Sequence, residues 1–362
     1  MSIKYNGGYI PAVGADGTTL VANSASATGV AWTAGNPIPN PVINSAFQIA
    51  QRGVTISAPA AANTYTLDRW IASTGTGAAA TVSRVVTGDT TNLPNIQYCA
   101  QVQRNAGQTG TVIWFVQPFE TINSIPFVGK QVTFSFYARK GADYSAASSA
   151  LVGNLYSGTG TDQSWVQGYT GQVTVASTTA TLTANWQRFQ ATGTVGATAT
   201  ELAIQFAMTG VGTALTNDYF QVTGVQIDVS PVALPFRTNA PTLQGELTAC
   251  QRYYQKSYDT TVNPGTSAAN GYSYSNLLSV ANNSPYLSNP IKSMRVAPTV
   301  TIYGYNGTAG TVSEASTGVD KAANTGQASA IGTEGFVVRN GNATTQTFSQ
   351  GAIYQYTASA EL

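Results

Sequence analysis

Short stretches of apolar–polar alternation run through the middle of the chain. Val132, Phe134, Phe136 and Ala138 fall on one phase, and Thr133, Ser135, Tyr137 and Arg139 on the other. Successive side chains of a strand point to opposite faces, so this pattern predicts a half-buried strand. Leu202, Ile204, Phe206 and Met208 alternate in the same way against Glu201, Ala203 and Gln205, and Val225, Ile227 and Val229 share one phase of 222–229. Gly-rich turns such as Gly75-Thr76-Gly77 and Gly158-Thr159-Gly160 separate these blocks at the spacing of an antiparallel sandwich. No amphipathic helix of ten residues interrupts them, which disfavours parallel βαβ topology. Residues 41–240 are therefore predicted to form one antiparallel jelly-roll β-sandwich.

The flanks read differently. Residues 1–40 carry little apolar period and many chain breakers, among them Gly7, Gly8, Pro11, Pro37 and Pro39. This predicts an extended arm whose apolar residues Leu20, Val21, Val30 and Trp32 need a larger surface to pack on. A helical period follows Pro241: Thr242 is placed to cap it, and Leu243, Leu247, Cys250 and Tyr254 recur at i, i+4, i+7 and i+11. The prediction is a short linker helix over 241–257. Its stripe either lies on the sandwich or faces the same helix in sister protomers, and spacing does not choose between them. From 258 to 362 the chain is β-rich again, with strands expected at 299–305 and 352–362. The Gly, Ser, Thr and Ala-rich stretch 308–333 reads as a long turn or exposed loop outside the core. The fold class is all-β: an N-terminal arm, a jelly-roll sandwich, a linker helix and a C-terminal β-sandwich-like tip domain.

Composition narrows the chemistry. The 362 residues include no His, and only 9% are Asp, Glu, Lys or Arg, against roughly 25% in ordinary domains. Catalytic groups that titrate near neutral pH are scarce, and the fifteen Asp and Glu are scattered singly. Asp218 and Asp228 stand at the two ends of one predicted strand, too far apart at about 3.3 Å per residue to flank a glycosidic bond. Glu314 and Asp320 are a pair only folding could bring together. No catalytic residue, metal site or cofactor is expected: Cys-x-x-Cys, calcium-loop and phosphate-loop motifs are missing. A formal net charge of +1 with no basic run disfavours nucleic acid, and no apolar run of about 18–20 residues predicts a membrane span. Cys99 and Cys250 are expected to be reduced and buried, in a soluble chain made in a cytoplasm.

What remains in quantity is aromatic rings, amides and hydroxyls. Tyr rings offer flat apolar faces to sugar C–H groups, while amides and hydroxyls bond sugar hydroxyls. Tyr272, Tyr274 and Asn276 alternate onto one face, and Tyr303 with Tyr305 falls opposite Val300 and Ile302 in the pleat. These five are the predicted binding surface.

Several segments resemble a known family. Val42-Ile43-Asn44, Gln51-Arg52-Gly53 and Tyr65 to Trp70 (YTLDRW) are similar to the opening of jelly-roll domains, carbohydrate-binding-module-like, in bacteriophage tail-fibre and related receptor-binding virion proteins. FSFYARKG (134–141), FQVTGVQIDVSPVALPF (220–236) and ELTACQRYYQKS (246–257) resemble later parts of that domain and its junction. KSMRVAPTVTIYGYNG (292–307) and YTASAEL (356–362) resemble the terminal domain of such fibres, and DGTTLVANSASATGVAW (16–32) their attachment segments. The resemblance implies a homotrimer in a virion, attached to other virion proteins through Leu20, Val21, Val30 and Trp32. Together with the helical stripe and the dependent arm, it predicts a trimer contact at Leu243, Leu247, Cys250 and Tyr254. Its C-terminal tip would bind host polysaccharide or lipopolysaccharide, without membrane insertion and without catalysis. A glycan-degrading tailspike-type enzyme and a decoration protein without receptor binding are the alternatives.

Overall fold

The computed structural model describes residues 39–362 and, before them, the strands Lys4–Tyr5, Gly8–Tyr9, Thr18–Ala22 and Val30–Ala34. These four form two antiparallel hairpins, the second placing Leu20 opposite Trp32 in the backbone register. Of the expected attachment residues, Leu20 is exposed and Val30 half-buried, while the side chains of Val21 and Trp32 lie outside the described residues.

Two six-stranded antiparallel sheets build the sandwich. One runs in the order Gln187–Thr194, Gln131–Lys140, Tyr219–Asp228, Tyr98–Arg104, Ala80–Val86, Thr55–Ala58. The other runs Val173–Thr181, Ala150–Gly158, Glu201–Thr209, Val112–Pro118, Ile71–Thr74, Asn63–Tyr65. Alternation places Phe134, Phe136, Leu202, Ile204, Phe206, Val225 and Ile227 in the space between them. Aromatic rings fill the centre: Trp70 stacks on Phe115 at 4.8 Å, and Phe136 meets Phe206 edge-on at 4.8 Å. Gly224, at φ +57°, breaks the register between Ser135 and Tyr137; a Cβ there would sit 2.8 Å from the Tyr137 ring.

The outward phase is not uniformly wet. Thr133, Ser135, Gln226 and Asp228 are buried because 230–237 crosses over them. Arg188 donates to Ser135 Oγ, Gln226 to Leu234 O, and Arg237 to Asp228 at 2.6 Å. Asn40 ties the beginning of this unit to its end, donating to Val225 O and Arg237 O at 3.0 Å.

The helix is shorter than predicted, Leu243–Gln251, with Thr242 accepting from Gly245 N as its cap. Tyr254–Lys256 is already a strand of the C-terminal sheet. That sheet is organised on one hub strand, Ala352–Ser359, which pairs with Tyr254–Lys256 and Ser273–Ser275 on one edge. On its other edge are Thr299–Tyr303 and Ser313–Glu314. A three-stranded sheet, Pro285–Pro290, Gly335–Arg339 and Gln327–Gly332, packs Tyr286, Phe336 and Val338 with Ile302 and Tyr354 into a second core. The stretch 308–333 is thus not loop alone. Val312, Ser313 and Thr325 are buried and two strands lie within it, because backbone bonds such as Gly310 N to Ile302 O and Gly326 N to Gly310 O fold it onto the sheet.

Candidate functional site

The outer face of the sheet centred on Glu201–Thr209 carries rings where the pleat would place solvent-facing residues. Trp114 pairs with Ala207, which pairs with Val152. One row on, Val116, Gln205, Asn154 and Ser177 stand side by side across four strands, and in the third row Ala203 pairs with Tyr156. Small Ala residues at 203 and 207 lie on the strand between Trp114 and Tyr156. The loop after Gly158 supplies a third ring, Trp165, stacked on Tyr156 at 5.8 Å and set edge-on to Trp114 at 6.4 Å.

That loop is tied at its base. Thr159 N donates to Thr170 O, Thr170 N to Gln163 Oε1, and the Tyr169 hydroxyl to Leu202 O at 2.9 Å. Beneath the rings, Asn154 donates to Gln205 Oε1 at 2.9 Å, the Tyr156 hydroxyl donates to the same oxygen at 3.3 Å, and Ser177 donates to Asn154 Oδ1 at 2.7 Å. One donor is left over: the buried indole Nε1 of Trp165 has no hydrogen-bond partner. A buried unsatisfied N–H costs about 1–3 kcal/mol.

On the same face, Glu201 is buried; Oε1 accepts from Gln163 N and Oε2 has no partner. Burial pushes its carboxyl above the usual range, which favours the neutral acid. Its nearest acidic neighbour, Asp162, is engaged by Thr121 N at 2.8 Å and by Arg295 at 3.5 Å. The arrangement sets half-buried aromatic rings over a buried, mutually bonded row of amides, so the rings are the part of this face that can stack on a sugar.

The five residues predicted from the sequence do not form one surface. Tyr272, Tyr274 and Asn276 share an exposed face, with Tyr272 and Tyr274 at 45% and 50% exposure, while Ser275 between them is buried. The Tyr274 hydroxyl donates to Gln350 O at 2.5 Å. Tyr303 instead packs edge-on against Tyr258 at 6.1 Å, and the Tyr305 ring lies against Gly318. Tyr274 and Tyr303 flank the hub strand from its two edges, opposite Ile353 and Gln355 and on the same face of the sheet. Gln355 donates to Ala268 O and Asn270 O, so the protein's own backbone is bonded onto the face between them.

The turn behind Tyr274 depends on Glu314. Burial alone would raise this carboxyl, but the amides of Ser349 and Gln350, with the Ser349 hydroxyl and Lys321, hold it down to about 2. An unfolded Glu titrates near 4.3, so these bonds are complete above that pH and lost as it falls toward 2. The Ser349 and Gln350 amide resonances should therefore titrate with a midpoint near pH 2. A midpoint above 4 would show the bonds do not form.

The helical stripe is used within the protomer. Cys250 is buried with Ile43, Ile49 and Tyr253, Leu247 packs on the same group, and Tyr254 lies beneath the Arg52 guanidinium at 3.8 Å. Glu246 accepts from Asn44 N and Ala240 N, fixing the helix to the sandwich. Of the four residues expected at a trimer contact, only Leu243 is well exposed, at 60%. Cys250 and Tyr254 have no surface to give a sister chain.

The rings missed at the sequence level had a signal. In Val112–Pro118, Ile113 and Phe115 take the inward phase, so a Trp at 114 falls on the outward one. Nothing local signals Trp165, which reaches the face from a loop.

No protein-family model matches the chain, and no curated protein sequence matches it. Among solved structures it is similar to a CBM4 carbohydrate-binding module at 23% identity, covering 36% of this chain and 70% of that one, with a TM-score of 0.26. A CBM22-2 xylan-binding domain from Paenibacillus barcinonensis Xyn10C is similar at 19% identity over 46% of this chain and 94% of that one, with a TM-score of 0.29. The enzymatically active domain of bacteriophage CBA120 tailspike protein 4 is similar at 13% identity and a TM-score of 0.31, covering 52% of this chain but only 21% of that one. At such identities and scores the likeness carries nothing about ligand or assembly.

Proposed function

We propose that this chain is a non-enzymatic, glycan-binding fibre protein of a virus particle, which holds host-surface polysaccharide on the outer face of its sandwich. The observation that carries the reading is the Trp114, Tyr156 and Trp165 cluster, with an unbonded indole N–H, beside the Gln205–Asn154–Ser177 row. Sugar C–H faces displace water from the exposed parts of the rings, and the bonded row beneath holds those rings in place. The placement in a virion, attachment by the N-terminal arm and assembly as a trimer rest on the sequence segments that resemble tail fibres. Three linked sites engaging one polymer would turn weak single contacts into tight attachment.

The buried carboxylates favour holding over cleaving: on the ring face Glu201 has an unpartnered oxygen, but Asp162 beside it is engaged by Thr121 and Arg295. Asp218 is bound by Arg104, Asp228 by Arg237, Glu120 by Arg252, and Glu361 by Arg52 and Arg69. A hydrolase needs two carboxyl groups free to face one bond.

Trp114→Ala and Trp165→Ala should each weaken retention on immobilised host polysaccharide about tenfold, leaving thermal unfolding close to that of the parent. Shortened chains in the eluate would establish the tailspike-type alternative; full retention by both variants would move the site elsewhere. The exposed Tyr272 and Tyr274 rings support the tip as a second contact. Their double Ala variant should unfold normally, and loss of cell attachment in it alone would assign binding to the tip.

A further inference from the structure

A cavity lies where the helix, the open end of the sandwich and the C-terminal domain meet. It has a volume of about 700 Å³, within the range of about 300–1,000 Å³ typical of small-molecule sites. Its floor is Gln48, Ile49, Ala50 and Gly53, one wall is the helix at Leu243, Gln244 and Leu247, and the opposite wall is Thr260, Thr261 and Asn263. The third side is Arg84 and Tyr98 on adjacent strands.

Two features hold this cavity in shape. Lys256 donates to Thr260 O at 3.1 Å and to Val262 O at 2.7 Å, fixing the C-terminal wall. Gly53, at φ +135°, lets the Asn263 side-chain Oδ1 approach to where a Cβ would sit 2.9 Å away, so the two domains close on each other at the floor.

The lining is polarised. Among the described residues, Arg84 is its only charged one. The guanidinium is immobilised, donating to Gln48 O at 2.8 Å and lying 4.8 Å over the Tyr98 ring. Among the described residues, no acidic group lines the cavity, so this cation has no counter-ion there. Leu243 and Val54 are exposed into or beside the opening, offering apolar contact. The side chains of Gln48, Gln97, Gln244, Thr260 and Thr261 line it without being committed to hydrogen bonds among the described residues.

From this combination we infer that the cavity binds an acidic pyranose, a sugar ring bearing a carboxylate, with Arg84 as the residue that selects the acid. An orientated guanidinium presents paired N–H donors that match a carboxylate better than a hydroxymethyl group. The amide and hydroxyl groups on two sides suit ring hydroxyls, and Leu243 and Val54 suit the ring's C–H face. The site lies on a different sheet from Trp114 and does not depend on glycan being held there.

Methyl glucuronide and methyl glucoside, which differ by carboxylate against hydroxymethyl, make the test, titrated by NMR into the full chain. The glucuronide should bind at least tenfold more tightly and shift the resonances of Gln97, Gln244 and Thr261. That preference should vanish in Arg84→Met. Because Arg84 also packs on Tyr98, Leu243→Asp supplies the second variant: the residue is exposed, folding is undisturbed, and an added negative charge at the mouth should weaken the glucuronide about tenfold. Equal affinity for both sugars, shifts confined to Trp114, Tyr156 and Trp165, or glucuronide binding unchanged in both variants would overturn the assignment.

Discussion

Asp218→Ala should lower the stability of the sandwich by about 3–5 kcal/mol, the usual cost of removing one partner of a buried ion pair. Arg104 and Asp218 are both fully buried, with Arg104 Nε donating to Asp218 Oδ2 at 2.9 Å. Arg104 also donates to Gly110 O and Gly212 O at 2.9 Å, and Asp218 accepts from the Ser145 amide at 2.9 Å and its hydroxyl at 2.8 Å. One carboxylate thus neutralises a charge and closes three chain segments that are far apart in sequence. Without it, Arg104 is a guanidinium in a low-dielectric site with carbonyls but no counter-ion. Asp218→Asn keeps the shape and should still lose most of the effect, since charge is what is missing. Arg104→Met in the Asp218→Ala background should recover part of it, because an apolar pair avoids the desolvation of both ions. Urea unfolding followed by Trp fluorescence reads all three; a loss under 1 kcal/mol for Asp218→Ala would show that the pair is not a stabilising element.

Glu361→Ala should uncouple the C-terminal domain from the sandwich. Glu361 bridges Arg52, at 2.9 Å, and Arg69, whose side chain is 1% exposed. Arg69 also donates to Pro118 O at 2.6 Å and lies 3.7 Å over the Tyr253 ring, and Arg52 lies 3.8 Å over Tyr254. Arg295 holds the backbone from the other side, donating to Ala360 O at 3.0 Å and Glu361 O at 2.8 Å. Removing the carboxylate strands a buried Arg69, at a cost of about 3 kcal/mol concentrated at this junction. Calorimetry should show one transition in the parent splitting into two, the lower belonging to the C-terminal domain. A single transition at the parent temperature would mean that the Glu120 pair with Arg252 and Tyr253 carries the junction alone.

Both predictions rest on residues that no local pattern marks as important. Asp218 and Arg104 are 114 positions apart, Arg69 and Glu361 are 292 apart, and a lone charge in a β-rich stretch reads the same whether it is solvated or buried. The functional face divides in the same way. Trp114 could be assigned to the outward phase of its strand from its neighbours, whereas Trp165 joins it only because Tyr169 and the 159–170 pairing fold a loop back over the sheet. The tyrosines show the converse. Alternation placed Tyr303 opposite Ile302 correctly, but whether an outward ring meets solvent or Tyr258 depends on a segment forty-odd residues away.

What the amino-acid order determined by itself is therefore what period and turn chemistry encode. These are the all-β class, the inward sets Phe134/Phe136 and Leu202 to Met208, the Thr242 cap, and the poverty of catalytic groups. Side-chain direction in a strand is set by the backbone within two residues, so those features survive any tertiary context. Only the tertiary structure decided which outward faces are covered and which are open. It turned the Leu247 and Cys250 stripe inward onto Ile43 and Ile49, folded Val312 and Thr325 into a core, and left Trp114 beside Trp165. The reason is physical: burial and ion pairing are properties of surfaces brought together across hundreds of residues, and the free energy that selects them is non-local.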